Sequence, residues 1–423
     1  MLDIKFIREN LELVKKAAED KNREVDWEKL LVLDEKRRKL IVDIESLRAQ
    51  RNKWSDLKPP NLKTGLTEGN KIREQGKKLK EEIKKLEEEL SSVEKEFTTL
   101  MLLVPNVPDK SVPIGKDASG NKEVKQWGEV PKFDFKPLDH IELGKKLDLI
   151  DFERGVKVGG FRTYFLKNEA ALLEIAVLTY AYQKLAKKGY IPLVAPSLVR
   201  GFTLFGNGQF PWGREEVYHL EKDDMYIAGT AEVPVTAYFA NEILNEKEMP
   251  KKFVAFSPCF RREAGSYGKD TKGLYRLHQF NKVEQVIITT NDYENSLKLH
   301  EELLENSEEV LQDLKLPHRV MLMCTGDMGE PQVKKYDVET WMPGRNAYGE
   351  TMSNSFMGDF QARRLNIRYK SSDGTTKVAH TLNNTAVASP RILIAILENY
   401  QQADGSVVVP EVLRDFVGEE VIK

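Results

Sequence analysis

Cys259-Phe260-Arg261-Arg262-Glu263 runs into the loop Ala264-Gly265-Ser266-Tyr267-Gly268-Lys269-Asp270-Thr271-Lys272-Gly273. The chain then continues as Leu274-Tyr275-Arg276-Leu277-His278-Gln279-Phe280-Asn281-Lys282-Val283-Glu284. Two strands around one loop are predicted. Alternate residues of a strand share a face, so Arg276, His278, Phe280, Lys282 and Glu284 would form one row. That row holds cations, an aromatic plate and a carboxylate. The other face, with Tyr275, Leu277, Val283 and Ile287, is apolar enough for a core, although Gln279, Asn281 and Gln285 dilute it. Guanidinium groups suit phosphates, a ring suits a purine, and an anion suits an ammonium group. The same pattern also fits a hairpin with a solvated, charged outer face.

The 423 residues suffice for two domains and a large core. With 65 basic and 67 acidic residues the net charge is −2, so any nucleic-acid surface must be local. Two cysteines, Cys259 and Cys324, make neither a disulfide framework nor a cysteine-rich zinc site. The charged start Met1-Leu2-Asp3-Ile4-Lys5-Phe6-Ile7-Arg8 lacks the apolar stretch of a signal peptide. No apolar run approaches a membrane span. A cytoplasmic, reducing compartment is expected.

Residues 1–103 differ in kind from the rest. Leu30, Leu33, Arg37, Leu40, Ile44, Leu47, Arg51 and Trp54 recur by threes and fours, as do Ile72, Gly76, Leu79, Ile83, Leu86, Leu90, Val93, Phe97 and Leu100. Each set is a heptad seam. Lys58-Pro59-Pro60-Asn61-Leu62-Lys63-Thr64-Gly65 between them cannot continue a helix. An antiparallel two-helix hairpin follows, each arm about 40–50 Å long. Its distal cations (Arg48, Arg51, Lys53, Lys58, Lys63, Lys71, Arg73, Lys77, Lys78, Lys80) fit an RNA backbone, and the seams alone fit an oligomerisation coiled coil equally well. Residues 104–138, rich in proline and glycine, read as a linker. From 139 to 423 short apolar strands joined by short loops predict an α+β domain with an antiparallel sheet. No Gly-x-x-x-x-Gly-Lys-Ser/Thr loop is present, so a nucleotide site would be of another kind. Ser389-Pro390-Arg391 opens a helix, with Ser389 suited to the N-cap and Pro390 to the first position. Arg391 in the first turn works against the helix dipole, which calls for a compensating anion.

Phe-Arg-x-Glu, a loop, and Arg-x-His-Gln-Phe-x-Lys-Val-Glu resemble motif 2 of the class II aminoacyl-tRNA synthetases. His278 to Glu284 is closest in wording to the seryl-tRNA synthetase family. Ser389 to Asn399 resembles motif 3, and Lys188-Gly189-Tyr190-Ile191-Pro192-Leu193-Val194-Ala195-Pro196 resembles motif 1, which builds a dimer interface. The resemblance runs in order from the first residues to about Gly418.

It implies a class II antiparallel sheet with flanking helices, a tRNA-binding N-terminal arm, and an ATP-dependent serine–tRNA ligase acting as a homodimer. Arg261 would join the serine carboxylate to the α-phosphate, and Glu263 would meet the adenine amino group or the phosphate-side network. Phe280 would stack on adenine, while Arg276 and Arg391 clamp the triphosphate. Thr230-Ala231-Glu232 resembles the family's Thr-Ala-Glu motif. Thr230, Glu232, Glu284, Asn383 and Thr385 would form the serine pocket together with Arg261. Glu350 and Ser353 would hold Mg2+ between the ATP phosphates. Their spacing of three demands a bulge or a strand end, because three puts them on opposite faces of a regular strand. Asp359 to Arg364 would belong to a following strand. The implied partners are tRNA(Ser) and serine, with tRNA(Sec) left open.

Three departures stand out. Ala228-Gly229 replaces the usual Ile-Pro, Asn383-Asn384-Thr385-Ala386 replaces Asn-Gly-Ser-Gly, and Gly349 sits where relatives often carry a base. A ligase charging another acceptor, or an inactive coiled-coil RNA-binding homologue, would share parts of this pattern.

Overall fold

The computed structural model describes residues 1–56, 66–266 and 272–423, with the side chains of 54–56, 66–73 and 266 excepted. The turn expected at Lys58–Gly65 and the centre of the loop after Glu263 lie outside the described residues, as do the seam side chains of Trp54 and Ile72. Two compact units emerge. One comprises Leu2–Glu19 and Arg23–Pro105; the other comprises Met1, Asp20–Asn22 and Asn106–Lys423.

The first unit contains helices α1 (Ile4–Glu9), α2 (Leu11–Asp20), α3 (Trp27–Asp56) and α4 (Leu66–Leu103). Asp26 starts α3 by accepting the Lys29 N–H at 3.0 Å, the N-cap geometry expected of an aspartate. The seams meet as their periodicity requires. Leu33, Leu40 and Val93 are buried together, with Leu86, Leu90, Phe97 and Leu100 packed around them. Lys29 pairs with Glu96, Lys36 with Glu89 and Arg48 with Glu87. One number rises as the other falls, so α3 and α4 are antiparallel. Arg37, at a seam position, reaches Glu94 at 3.2 Å and lies 5.5 Å from the Phe97 ring centroid. A cation is thereby accommodated where the heptad asks for an apolar residue.

In the second unit, eight strands form one sheet. They are β1 (Lys122–Trp127), β2 (Ile191–Val194), β3 (Lys251–Phe260), β4 (Gln279–Thr289), β5 (His318–Leu322), β6 (Lys334–Met342), β7 (Ala347–Gly358) and β8 (His380–Ala388). Their order is β1-β5-β6-β7-β8-β4-β3-β2. All neighbours are antiparallel except β2 and β3. The stretch read as a linker supplies edge strand β1.

Helices α5 (His140–Lys146), α6 (Asn168–Lys187), α7 (Tyr293–Asp313), α8 (Phe360–Leu365) and α9 (Ser389–Asn399) accompany the sheet. Asp139 and Glu142 close α5 with a reciprocal capping box. The main core gathers Leu173, Val177 and Leu185 of α6, Leu303 and Leu311 of α7, and Ile392 to Leu397 of α9 against Val283, Ile287, Val338, Met352 and Phe356. Each fully buried side chain of this kind contributes about 1.5–3 kcal/mol of transfer free energy.

Three expectations need correction. β4 begins at Gln279, so Arg276 and His278 precede the strand rather than lying in its row. His278 instead closes the stem of the hairpin. Its carbonyl accepts the Arg261 N–H at 3.0 Å, and its Nδ1 lies 2.9 Å from the Arg261 carbonyl oxygen. Residues 360–365 form α8, not a strand. Finally, the N-cap of α9 is Ala388, without a side-chain cap; the Ser389 hydroxyl accepts the Asn281 N–H of β4 at 3.3 Å.

Candidate active site

β4, β7, β8 and α9 converge on a pocket open to solvent, about 550 Å3 with the space at its mouth included. Arg261, Glu263, Arg276, Phe280, Glu350, Ser353, Thr385 and Arg391 all line it, and so do Tyr275 and Lys282. Residues spread over some 130 positions of sequence thus meet on one side of the sheet.

The phosphate-suited end is built around Arg391. Its guanidinium lies 3.0 Å from a Glu350 carboxylate oxygen, its Nη1 donates to the Glu350 carbonyl at 2.9 Å, and its Nε donates to the Tyr275 carbonyl at 3.2 Å. The anion demanded by the helix dipole is therefore Glu350. The Tyr275 ring is flanked by two guanidinium groups, Arg391 at 4.4 Å and Arg345 at 4.3 Å. Gly349 makes this possible. A Cβ there would come within 3.1 Å of the Tyr275 ring and 3.0 Å of the Met342 sulfur.

The bulge required by the Glu350–Ser353 spacing is present. Val338 pairs with Met352 while Glu339 pairs with Glu350, leaving Thr351 as the extra residue. Thr351 turns inward, its hydroxyl 2.7 Å from that of Thr340. Glu350 and Ser353 consequently face the same side. Partial loss of solvent works against ionisation of Glu350, but Arg391 and Lys335 outweigh it and hold the carboxyl well below its usual range. A carboxylate charged at neutral pH beside a hydroxyl is an oxygen donor set that fits a hard cation. Among the described residues no group of three or more His, Cys, Asp or Glu side chains forms a protein-only cage. An ion here would draw its remaining ligands from phosphate and water. Behind this pair Lys335 lies 2.9 Å from Asp337, whose carboxyl is pushed up by burial and by Glu350.

At the entrance Arg261 lies over Phe280, 5.2 Å from the ring centroid, and donates from Nε to the Gly229 carbonyl at 3.3 Å. Glu263 adopts a left-handed backbone with φ of 54° and faces Arg276 at 3.3 Å and Arg162 at 3.5 Å. A non-glycine residue in that region costs about 1–3 kcal/mol and persists where the surroundings determine it. Arg162, at φ of 60°, shares the trait. No sequence signal places Arg162 here, 101 residues upstream of its partner.

The residues assigned to serine fall into two linked groups. Glu284 pairs across the sheet with Thr385, after a second bulge. The Thr385 hydroxyl donates to Glu284 at 3.2 Å, and the buried Lys282 ammonium contacts both, forming an ion pair with Glu284. Lys282 was legible as a neighbour of Glu284 on one strand face, yet its membership of the site was missed. The second group centres on Glu232. One carboxylate oxygen accepts amide hydrogens from Asn207 and Gln361 at 2.8 Å and from Asn383 at 2.9 Å. Burial, then the charge of Glu284, pushes Glu232 up to about 7. Thr230, also buried, accepts the Glu232 backbone N–H at 3.1 Å. Gln361 is fixed in turn by the Thr381 hydroxyl at 2.6 Å. Burial pushes the Cys259 thiol up, so this cysteine beneath the pocket is not poised as a nucleophile.

The family model for the tRNA synthetase class II core domain (G, H, P, S and T) covers residues 216–400, and that for the seryl-tRNA synthetase N-terminal domain covers 1–108. The serine–tRNA ligase of Deinococcus radiodurans is 47% identical over 99% of this chain and 98% of its own length. That of Treponema denticola is 46% identical over 99% of both chains. Among solved structures, the seryl-tRNA synthetase from Pyrococcus horikoshii complexed with ATP superposes with a TM-score of 0.90 at 38% identity, covering 100% of this chain and 99% of that one. The cytoplasmic serine–tRNA ligase of Naegleria fowleri in complex with AMP gives 0.87 at 33% identity, with the same coverage. The two matched regions and the full-length relatives agree: this chain belongs to the seryl-tRNA synthetase family of class II aminoacyl-tRNA synthetases.

Proposed function

We propose that the chain activates serine with ATP and transfers it to the 3′ end of tRNA(Ser). The observation that carries this reading is the convergence of three arginines, Phe280 and Glu350–Ser353 on one pocket, with the Glu284–Thr385 pair beside it. In the first step a serine carboxylate oxygen bonds to the α-phosphorus of ATP as the bond to pyrophosphate breaks. In the second, the tRNA hydroxyl oxygen takes the acyl carbon and AMP leaves.

Arg261 orients carboxylate and α-phosphate, and Arg276 and Arg391 hold the outer phosphates. Phe280 supplies the stacking face, and Glu263 orients either the adenine amino group or the phosphate-side arginines. Glu350 and Ser353 would hold Mg2+, which supplies charge neutralisation between phosphates. Thr230, Glu232, Glu284, Asn383 and Thr385 receive serine. Positioning and electrostatics suffice for this chemistry without a protein nucleophile.

The domain reading remains an N-terminal tRNA-binding unit over 1–103, a connection over 104–138 and a catalytic unit over 139–423. A homodimer is proposed through α6 and β2. Ile175 is 63% exposed and Val194 79% exposed on these elements, which is costly to leave bare beside other apolar residues. Among the described residues no helix is long and apolar enough to cross a membrane; a cytoplasmic location is part of the proposal.

Pyrophosphate exchange with ATP and serine, followed by charging of total tRNA, tests the reading. Exchange should be serine-dependent, with threonine and alanine poor substitutes. Glu284→Ala should lose serine activation far more than ATP binding, since the serine groups left unpaired cost about 1–3 kcal/mol. Exchange without charging would favour another acceptor, equal exchange with alanine would overturn the serine assignment, and loss of both reactions in the native protein would favour an inactive binding homologue.

A further inference from the structure

His140 opens α5, outside every motif used so far, and is buried. Its two ring nitrogens face two elements that both reach the nucleotide pocket. Nε2 stands 3.1 Å from the backbone nitrogen of Leu274. A backbone N–H can only donate, so Nε2 is the acceptor and the ring proton sits on Nδ1. Nδ1 then donates to Glu398 Oε1 at 2.8 Å. The same oxygen accepts the His140 backbone N–H at 2.9 Å, and Oε2 accepts the Gly344 N–H at 2.8 Å. Glu398 belongs to α9, the helix that carries Arg391 in its first turn. Leu274 immediately precedes Tyr275, whose carbonyl and ring both contact Arg391. One imidazole therefore ties the end of the β3–β4 loop to α9.

A second, independent observation concerns Gly273. Its φ is +75°, and a Cβ at this residue would stand 2.2 Å from His140 Nε2. The chain is shaped to admit the ring. At the other end of the loop, Glu216 accepts the N–H groups of Ala264 at 3.2 Å and Gly265 at 2.7 Å. Glu216 and His140 thus fix the two ends of the segment that delivers Glu263, Tyr275 and Arg276 to the pocket.

We propose that His140 is a positioning residue for the ATP half of the site, holding Tyr275 in place beneath Arg391 through the Leu274 N–H. The proposal rests on the reading of the pocket as an ATP site. Asparagine and glutamine separate the two functions of the ring. The His140→Asn amide nitrogen can replace Nδ1 toward Glu398 but leaves Leu274 without an acceptor, whereas the His140→Gln amide oxygen reaches the place of Nε2.

In pyrophosphate exchange with ATP and serine varied in turn, His140→Asn should raise KM for ATP about tenfold, the effect of one buried N–H left unpaired. KM for serine should stay unchanged, and His140→Gln should return KM for ATP toward the native value. Gly273→Ala, which displaces the ring from the neighbouring residue, should act like His140→Asn and serves if that variant fails to fold. Equal effects of asparagine and glutamine, a parallel rise in KM for serine, or a lowered unfolding temperature with native KM values would each reduce His140 to a packing residue and overturn the proposal. Absence of serine-dependent exchange in the native protein would instead overturn the reading of the pocket.

Discussion

Glu232 holds its proton to about pH 7, against an ordinary 4.5, because burial and Glu284 oppose its charge. An acid with a raised folded value loses stability as pH rises. Below the ordinary value both folded and unfolded chains are protonated and nothing is lost. Between the two values the unfolded chain releases a proton that the folded chain keeps, and above about 7 the penalty is constant. Glu232→Gln keeps an oxygen for Asn207, Gln361 and Asn383 without this penalty. It should be more stable than the native chain by on the order of 2 kcal/mol at about pH 8, but nearly equal below about pH 4, in urea unfolding. An equal difference at both pH values would remove the buried charge from the account. Arg391 was legible from its place against the helix dipole and the row from Phe280 to Glu284 from its alternation, whereas the roles of Arg261, Glu350 and the serine pocket came from the family resemblance. Arg162, Asn207 and Gln361 were legible by neither route, because buried amides and distant cations acquire a partner only when the chain has folded.

Helices and strands were read best where their period was long and clean. The heptads of α3 and α4 packed as spaced, and the bulge in β7 is one of the two arrangements, a bulge or a strand end, that let the Glu350–Ser353 pair implied by the resemblance share a face. Alternation misled at Arg276 and His278, where a hairpin stem continues the pattern before ladder pairing begins. Asp359 to Arg364, read as a strand on its family wording, falls in a turn and a half of helix that is too short for a period to show. Of the polar residues that dilute the inner face of β4, Gln279 is exposed and Asn281 half-buried, and only Gln285 is buried, with its amide satisfied. Gln285 donates to Asn384 at 2.8 Å and accepts from Asn306 at 2.8 Å. At this scale the proposed dimer is testable. Ile175→Glu with Val194→Glu places charge on α6 and β2 without touching the core. The native chain should sediment as a dimer and the double variant as a monomer, and a dimer of unaltered stability would exclude these elements from the interface.

The two units have separate cores, one of heptad seams and one built on the eight-stranded sheet. Deleting Leu33 to Leu100 and joining the ends with a short linker should therefore leave serine-dependent pyrophosphate exchange largely intact. tRNA charging should fall severely, because the distal lysines and arginines that suit an RNA backbone are lost with the hairpin, and native binding should weaken as salt rises. Native charging efficiency in the truncated chain would refute the arm's role, and loss of exchange with an intact fold would make the arm part of the active site. The chain as a whole also carries a parity rule, set at Thr351. Between this residue and a further irregularity after Phe356 odd numbers of β7 face the pocket, as Ser353 does, whereas before Thr351 even numbers do, as Glu350 does. Gaining or losing one residue elsewhere in the strand would exchange the pocket side for the core side, sending Phe356 or Met352 outward and a serine inward. Lineages of this enzyme can then change β7 in length only by two residues at a time, or at the bulge itself, and single-residue length changes should collect in the turn at Pro343–Arg345.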